Sequence, residues 1–214
     1  MKKQHILVLG ILVLLKKAFF MDDATFQRFK AFFPQVDFTA LDEAWFRSLW
    51  ETKTFNQYDF ITEAGSIERY FYLVVSGVQA IYVLNEKGEK VVLGFSYSNS
   101  PSGVFDSFMA QTPSSTFLEA LKPSVLMGIR YADYQMLFEK HPEFHQWGHH
   151  FFRDVLVGRL YREVEILTLS AEQRYVAFMQ RCPDELKVIP QKYLASYLNM
   201  KPETFSRLRS STLY

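Results

Sequence analysis

The chain has 214 residues, 24 Lys and Arg against 23 Asp and Glu, 49% hydrophobic residues and one cysteine. That is enough for one large or two small domains, and it excludes collagen-like, disulfide-scaffold and wholly disordered classes. The formal net charge of +1 conceals an uneven spread: +4 over residues 1–20, −5 over 21–140, −1 over 141–188 and +3 over 189–214. A basic tail on an acidic body keeps a nucleic-acid partner open, because phosphate neutralisation needs clustered Lys and Arg, not a high total.

Residues 1–20 carry an apolar run, Ile6 to Leu15, broken only by Gly10 and flanked by Lys2, Lys3, Lys16 and Lys17. A span of the bilayer needs about twenty apolar residues, and the small-residue cleavage site of a secretory signal is missing. An upstream extension or misassigned start before Met21 is expected, so a membrane role is disfavoured. Cys182, alone, allows no intrachain disulfide and no cysteine cage for a metal, which suits a reducing cytoplasm.

From Asp22 to Trp50 apolar residues recur at helical spacing (Phe26, Phe29, Phe33, then Leu41, Trp45, Leu49), with Pro34 between two short helices. From Thr54 to Ile129 short runs rich in Tyr, Phe, Val and Ile alternate with turn signals. Tyr70 to Val75, Val78 to Leu84 and Val91 to Phe95 read as consecutive antiparallel strands, the last two joined by a hairpin turn at Asn85 to Gly88. Short strands at regular spacing predict a barrel or jelly roll.

After His141-Pro142 the helical period returns. Phe144, Gly148, Phe152, Leu156, Leu160, Val164 and Leu167 fall at three- and four-residue steps, widened by Phe151 and Val155. So long a stripe predicts a domain-spanning core helix or a dimer interface. Gly148 and Gly158 each cost about 1 kcal/mol of helix propensity, which suggests close backbone approach at both. Ser170 and Gln173 have the spacing of a capping box at the next helix start, and that helix is expected to end near Cys182-Pro183.

The segment from Pro190 to Arg209 carries the most information. Pro190 suits the first position of a helix. Asn199 stands where a tight turn must follow, and Asn tolerates a left-handed backbone. Pro202 fits the first turn of a second helix, with Glu203 against its dipole. Ala195, four residues before Asn199, allows a close helix crossing, and Leu194, Leu198, Met200, Phe205 and Leu208 can share a core. This is helix, short turn, helix. The second helix then offers Thr204, Ser206, Arg207 and Arg209, with Lys201 at its start. Arg can read guanine edges bidentately, while Ser, Thr and Lys hold phosphates.

The stretch Ile189 to Arg209 resembles the helix-turn-helix of the Crp/Fnr superfamily of bacterial transcription regulators, in its Bacteroidetes-type form. The segment Leu169 to Tyr175, the His141-Pro-Glu helix entry and the strand Tyr70 to Gly77 resemble that family too. The resemblance implies an α+β chain with four parts. These are the doubtful extension 1–20, a double-stranded β-helix (jelly-roll) sensor over 21–140, a dimerisation helix over 141–168 and an all-α helix-turn-helix domain over 169–214. It implies a homodimer on double-stranded DNA, with RNA polymerase as a further partner. Residues corresponding to Glu203 and Arg207 contact bases in the family, and Lys192, Lys201, Thr204, Ser206 and Arg209 join them as candidates. Pro202 stands where catabolite activator proteins carry a third base-contacting Arg, so base preference should differ. No β-hairpin wing precedes Tyr214.

Cyclic-nucleotide-binding relatives carry Phe-Gly-Glu followed by Arg-Ser in a phosphate-binding cassette. The matching stretch here keeps Gly103, but has Val104 for Glu and Ser114-Ser115 for Arg-Ser. With both charged ligands gone, a degenerate pocket with weak or no cAMP binding is expected, and a small effector of other identity stays open. Ungapped alignment of the long helix places Arg159 and Leu160 where the family helix meets the base; a solvent-facing Arg159 is the plainer expectation. His141, His145 and His149 have metal-like spacing without supporting ligands, so a solvated or interface face is expected. No phosphate loop, nucleophile elbow or paired carboxylates point to an enzyme. The competing reading is a ligand-binding or protein-interaction module whose helix-turn-helix is vestigial.

Overall fold

The computed structural model describes residues 21–211. The apolar extension therefore lies outside the described residues. α1 (Asp23–Lys30) and α2 (Glu43–Ser48) each begin on an aspartate whose carboxylate accepts a backbone N–H: Asp22 from Thr25 and Asp42 from Trp45. Eight strands follow: β1 (Trp50–Phe55), β2 (Phe60–Thr62), β3 (Tyr70–Ser76), β4 (Val78–Leu84), β5 (Lys90–Tyr97), β6 (Pro101–Ser102), β7 (Phe117–Ala120) and β8 (Ser124–Arg130), with α3 (Phe105–Ala110) after β6. They form two antiparallel four-stranded sheets, ordered β1-β8-β3-β6 and β2-β7-β4-β5. This is the expected jelly-roll class.

One pairing differs from the reading of three consecutive strands. β4 pairs with β5, but β3 pairs with β6 and β8 in the other sheet. Gly77 is thus a corner between sheets, not a hairpin. Its φ is +104°, and a Cβ there would lie 2.2 Å from Ser124 Oγ. Only a residue without a side chain takes that backbone so close to a neighbouring strand.

α4 (Tyr131–Lys140) leads into the long α5 (Glu143–Thr168). Its first turns pack with α1, α2, β3 and β8 in an aromatic core that includes Phe26, Phe29, Phe33, Phe46, Phe71, Phe144 and Trp147. Full burial of such a side chain contributes about 1.5–3 kcal/mol. Gly148 meets this core as expected, since a Cβ there would stand 3.0 Å from Phe138; Gly158 has nothing of its own chain within 4 Å. The apolar stripe then leaves the core. Leu156, Leu160, Val164 and Leu167 are 60%, 52%, 57% and 75% exposed.

The remaining helices are α6 (Ala171–Arg181), α7 (Asp184–Lys187), α8 (Gln191–Tyr197) and α9 (Pro202–Ser211). The capping box of Ser170 and Gln173 is complete. These helices share a second core with the outer face of β4 and β5, where Val78, Ala80, Tyr82 and Val92 meet Tyr175, Phe178, Leu194 and Phe205.

Candidate nucleic-acid interface and sensor cavity

α8 begins one residue later than expected, with Pro190 as its N-cap. Asn199 takes the left-handed backbone, φ +50°, and the Met200 N–H closes the turn by donating to the Ala195 carbonyl at 3.0 Å. Ala195 is fully buried at the crossing. Arg174 of α6 completes the turn: its guanidinium donates to the carbonyls of Leu169, Leu198 and Asn199 at 2.6, 2.8 and 3.0 Å. The carbonyls of Leu198 and Asn199, just past the end of α8, need a hydrogen-bond donor, and the arginine supplies it. Sequence reasoning missed this role, which no local spacing signals.

Pro202 opens α9, and Phe205 anchors it in an edge-to-face contact with Tyr175 at 5.3 Å between centroids. With Phe205 buried and Leu208 half-buried, helical geometry turns Glu203, Ser206, Arg207 and Ser210 onto the opposite, exposed face. Thr204, half-buried, and Arg209, exposed, flank that face. Neither Arg207 nor Arg209 forms an ion pair among the described residues. Ser210 was not among the expected residues, although its spacing from Ser206 and Arg207 could have found it. Lys192 and Lys201 are exposed and share a groove with Lys87 of the β4–β5 hairpin.

A second feature is a cavity of about 760 Å³ between the sheets, α3, α5 and Tyr197 of α8. Of the five residues expected there, Gly103 and Arg159 line it and Val104, Ser114 and Ser115 do not. Val104 is fully buried, and its N–H donates to the carboxylate of Glu68 at 3.3 Å. The buried Ser114 hydroxyl donates to the Thr116 carbonyl at 2.8 Å, and Ser115 is exposed. Arg159 is exposed, and its Nη1 donates to the Leu93 carbonyl at 3.0 Å.

Beside Gly103, the Val104 amide is held by Glu68. Glu68 is 2% exposed, accepts from Thr62 Oγ1 and the Tyr70 and Val104 amides, and burial raises its pKa above the usual carboxylate range.

His141 is the C-cap of α4, so it does not share the helix that carries His145 and His149, and no group of metal-holding side chains occurs among the described residues. Cys182 is buried, and burial pushes its thiol pKa up, as a structural cysteine requires. No helix among the described residues is long and apolar enough to cross a membrane.

Residues 52–141 match the cyclic nucleotide-binding domain family. Comparison with curated proteins finds no match. Among solved structures, the chain is similar to the c-di-GMP responsive global regulator CLP of Xanthomonas campestris, at 16% identity over 78% of this chain and 87% of that one, with a TM-score of 0.61. It is similar to FixK2 of Bradyrhizobium japonicum at 14% identity, covering 76% and 83%, with a TM-score of 0.63. For the catabolite activator protein of Thermus thermophilus the values are 18%, 81%, 84% and 0.51. Residues 52–141 therefore resemble a cyclic nucleotide-binding domain, and the overall fold is shared with these solved structures.

Proposed function

We propose that this protein is a homodimeric, DNA-binding transcription regulator of the Crp/Fnr type whose sensor does not take cAMP. The observation that carries this reading is α9, held by a left-handed Asn199 turn and the Arg174 clamp while Glu203, Ser206 and Arg207 face outward. A helix presented this way suits the major groove. The exposed stripe Leu156, Leu160, Val164 and Leu167 supports α5 as the dimer seam, and two α9 helices would then enter successive major grooves about 34 Å apart on a palindromic site. The uncharged Val104 and Ser114, standing where cyclic-nucleotide binders carry Glu and Arg, support the exclusion of cAMP.

Glu203 and Arg207 are the base readers in this account, and Lys192, Lys201, Thr204, Ser206 and Arg209 hold phosphates. The test is selection of a binding site from random duplexes, followed by titration at several salt concentrations. Arg207→Ala is expected to cost about 1–3 kcal/mol on the selected site and to relax specificity, whereas Lys201→Ala lowers affinity for all sequences and reduces the salt slope by about one. Unchanged affinity and preference in Arg207→Ala would remove it as a base reader.

A further inference from the structure

The hairpin between β4 and β5 carries Glu86, Lys87, Gly88 and Glu89 at its tip, and the turn is fixed from within. The Asn85 side-chain oxygen accepts from the N–H groups of Lys87 at 3.0 Å and Glu89 at 2.9 Å. The Asn85 amide group in turn donates to the Glu89 carboxylate at 2.9 Å. An asparagine that bonds the backbone a few residues on stiffens its turn, so Lys87 stands at a defined place.

This tip faces the helix-turn-helix across a groove of about 740 Å³. Among the described residues, the charged lining is Lys87 and Lys90 of the jelly roll, Lys192 of α8, Lys201 just before α9, and Glu89. Lys90 is neutralised by the buried Glu119. Lys87, Lys192 and Lys201 are exposed and form no ion pair among the described residues. The acids outside the groove are Glu86, exposed beside Lys87, and Glu203, on the outward face of α9.

Hairpin and helix pair are joined across this groove. Ser196 Oγ of α8 donates to the Lys90 carbonyl at 2.8 Å and accepts from the Val92 N–H at 3.0 Å, and Lys90 Nζ reaches the Tyr193 hydroxyl at 3.5 Å. A duplex backbone that passes Lys192 and Lys201 therefore passes the hairpin tip as well. One exposed lysine holds one small anion weakly, because water screens the pair. Several lysines along one polyphosphate differ, since each neutralised phosphate releases condensed counterions and the gains add. Three solvated cations drawn from two parts of the fold suit a duplex backbone, not a lone anion.

We propose that Lys87 is a phosphate contact of the protein–DNA interface, so that the jelly roll itself holds the duplex backbone beside Lys192 and Lys201. The inference rests on the DNA-binding reading and adds to it a residue outside the helix-turn-helix. With Glu86 and Glu89 beside Lys87, the tip by itself has little attraction for nucleic acid. Its role is to position a backbone that α9 has already engaged.

The experiment uses the full chain and the duplex obtained by site selection. Affinities of the original, Lys87→Ala and Lys87→Arg are titrated between about 50 and 200 mM salt. Lys140→Ala, exposed at the end of α4, is the control. Lys87→Ala should flatten the dependence of log affinity on log salt by about 0.9 per bound subunit, so its deficit grows about three- to fourfold per subunit from the higher salt to the lower. Lys87→Arg should keep the slope, and Lys140→Ala should leave affinity and slope unchanged. Ethylation interference reads the contact directly: at least one phosphate that blocks the original when ethylated should cease to matter for Lys87→Ala. If the original binds DNA while Lys87→Ala keeps its slope and its interference pattern, the hairpin contact is refuted and the DNA-binding reading stands. A shift in the selected sequence without a change of slope refutes the contact too, since a phosphate carries no base information. If the original binds no duplex in a salt-dependent way, both fall together.

Discussion

Gly77 carries a heavier constraint than any other turn glycine in the jelly roll. A methyl group at this position would be 2.7 Å from the Ser124 Cα as well as 2.2 Å from its Oγ, at a φ that L-residues rarely adopt. Ser124 Oγ in turn accepts from Gln79 Nε2, itself fully buried, at 2.8 Å. Gly77→Ala should therefore cost about 2–4 kcal/mol through strain and overpacking together. A urea midpoint that falls with an unchanged slope checks this, and an unshifted midpoint contradicts it. The glycine was legible as a turn signal, but its partner on β8, 47 positions away in the chain, was not. Arg174 makes the same point: its place in the sequence names it, and only the folded turn gives it three carbonyls to hold.

α5 is one helix with two kinds of surface. Its apolar period runs unbroken from Phe144 to Leu167, yet Phe144 is fully buried and Leu167 is 75% exposed. Periodicity reports that a face is apolar and is silent on what covers it, since intramolecular and intermolecular packing ask for the same spacing. If the exposed half is a dimer seam, Leu156→Glu combined with Leu160→Glu should yield monomers with near-unaltered thermal stability of the sensor core. Sedimentation equilibrium checks the mass, and a persistent dimer would place the seam elsewhere. Dimeric operators would lose affinity in parallel, because each half-site would be bound alone.

Across the whole molecule, the helix-turn-helix is fastened to the jelly roll through β5. Ser196 Oγ donates to the Lys90 carbonyl at 2.8 Å and accepts from the Val92 N–H at 3.0 Å, so α8 satisfies an otherwise open strand edge. Lys90 forms an ion pair with the buried Glu119 beside Tyr193. α5 and α6 are tied by Arg181, which donates to both Glu165 oxygens at 2.5 Å and holds that carboxyl below the usual range. A depressed carboxylate stabilises the fold above its unfolded pKa, and this contribution is lost as pH falls through the folded value. Glu165→Gln should accordingly lower the urea midpoint at neutral pH, with the gap to the original closing as pH falls below the usual carboxylate range. A gap independent of pH would assign the loss to packing instead.

The α8–α9 pair could be read almost whole from the chain, because Pro190, Ala195, Asn199, Pro202 and Phe205 each act within a few residues of where they stand. Three of the eight strands, β3, β4 and β5, were readable for the same reason, through alternation and turn chemistry. Sheet partners were not: β3 and β4 are adjacent in sequence and lie in different sheets, since pairing depends on which faces must be buried together. The cavity was the least accessible of all. Its wall draws on β5, β6, α3, α5 and α8, and whether Arg159 meets a carboxylate, a carbonyl or water depends on distances that only packing sets. Short-range conformational preference is written along the chain, whereas the make-up of a shared site is a property of elements brought together from far apart.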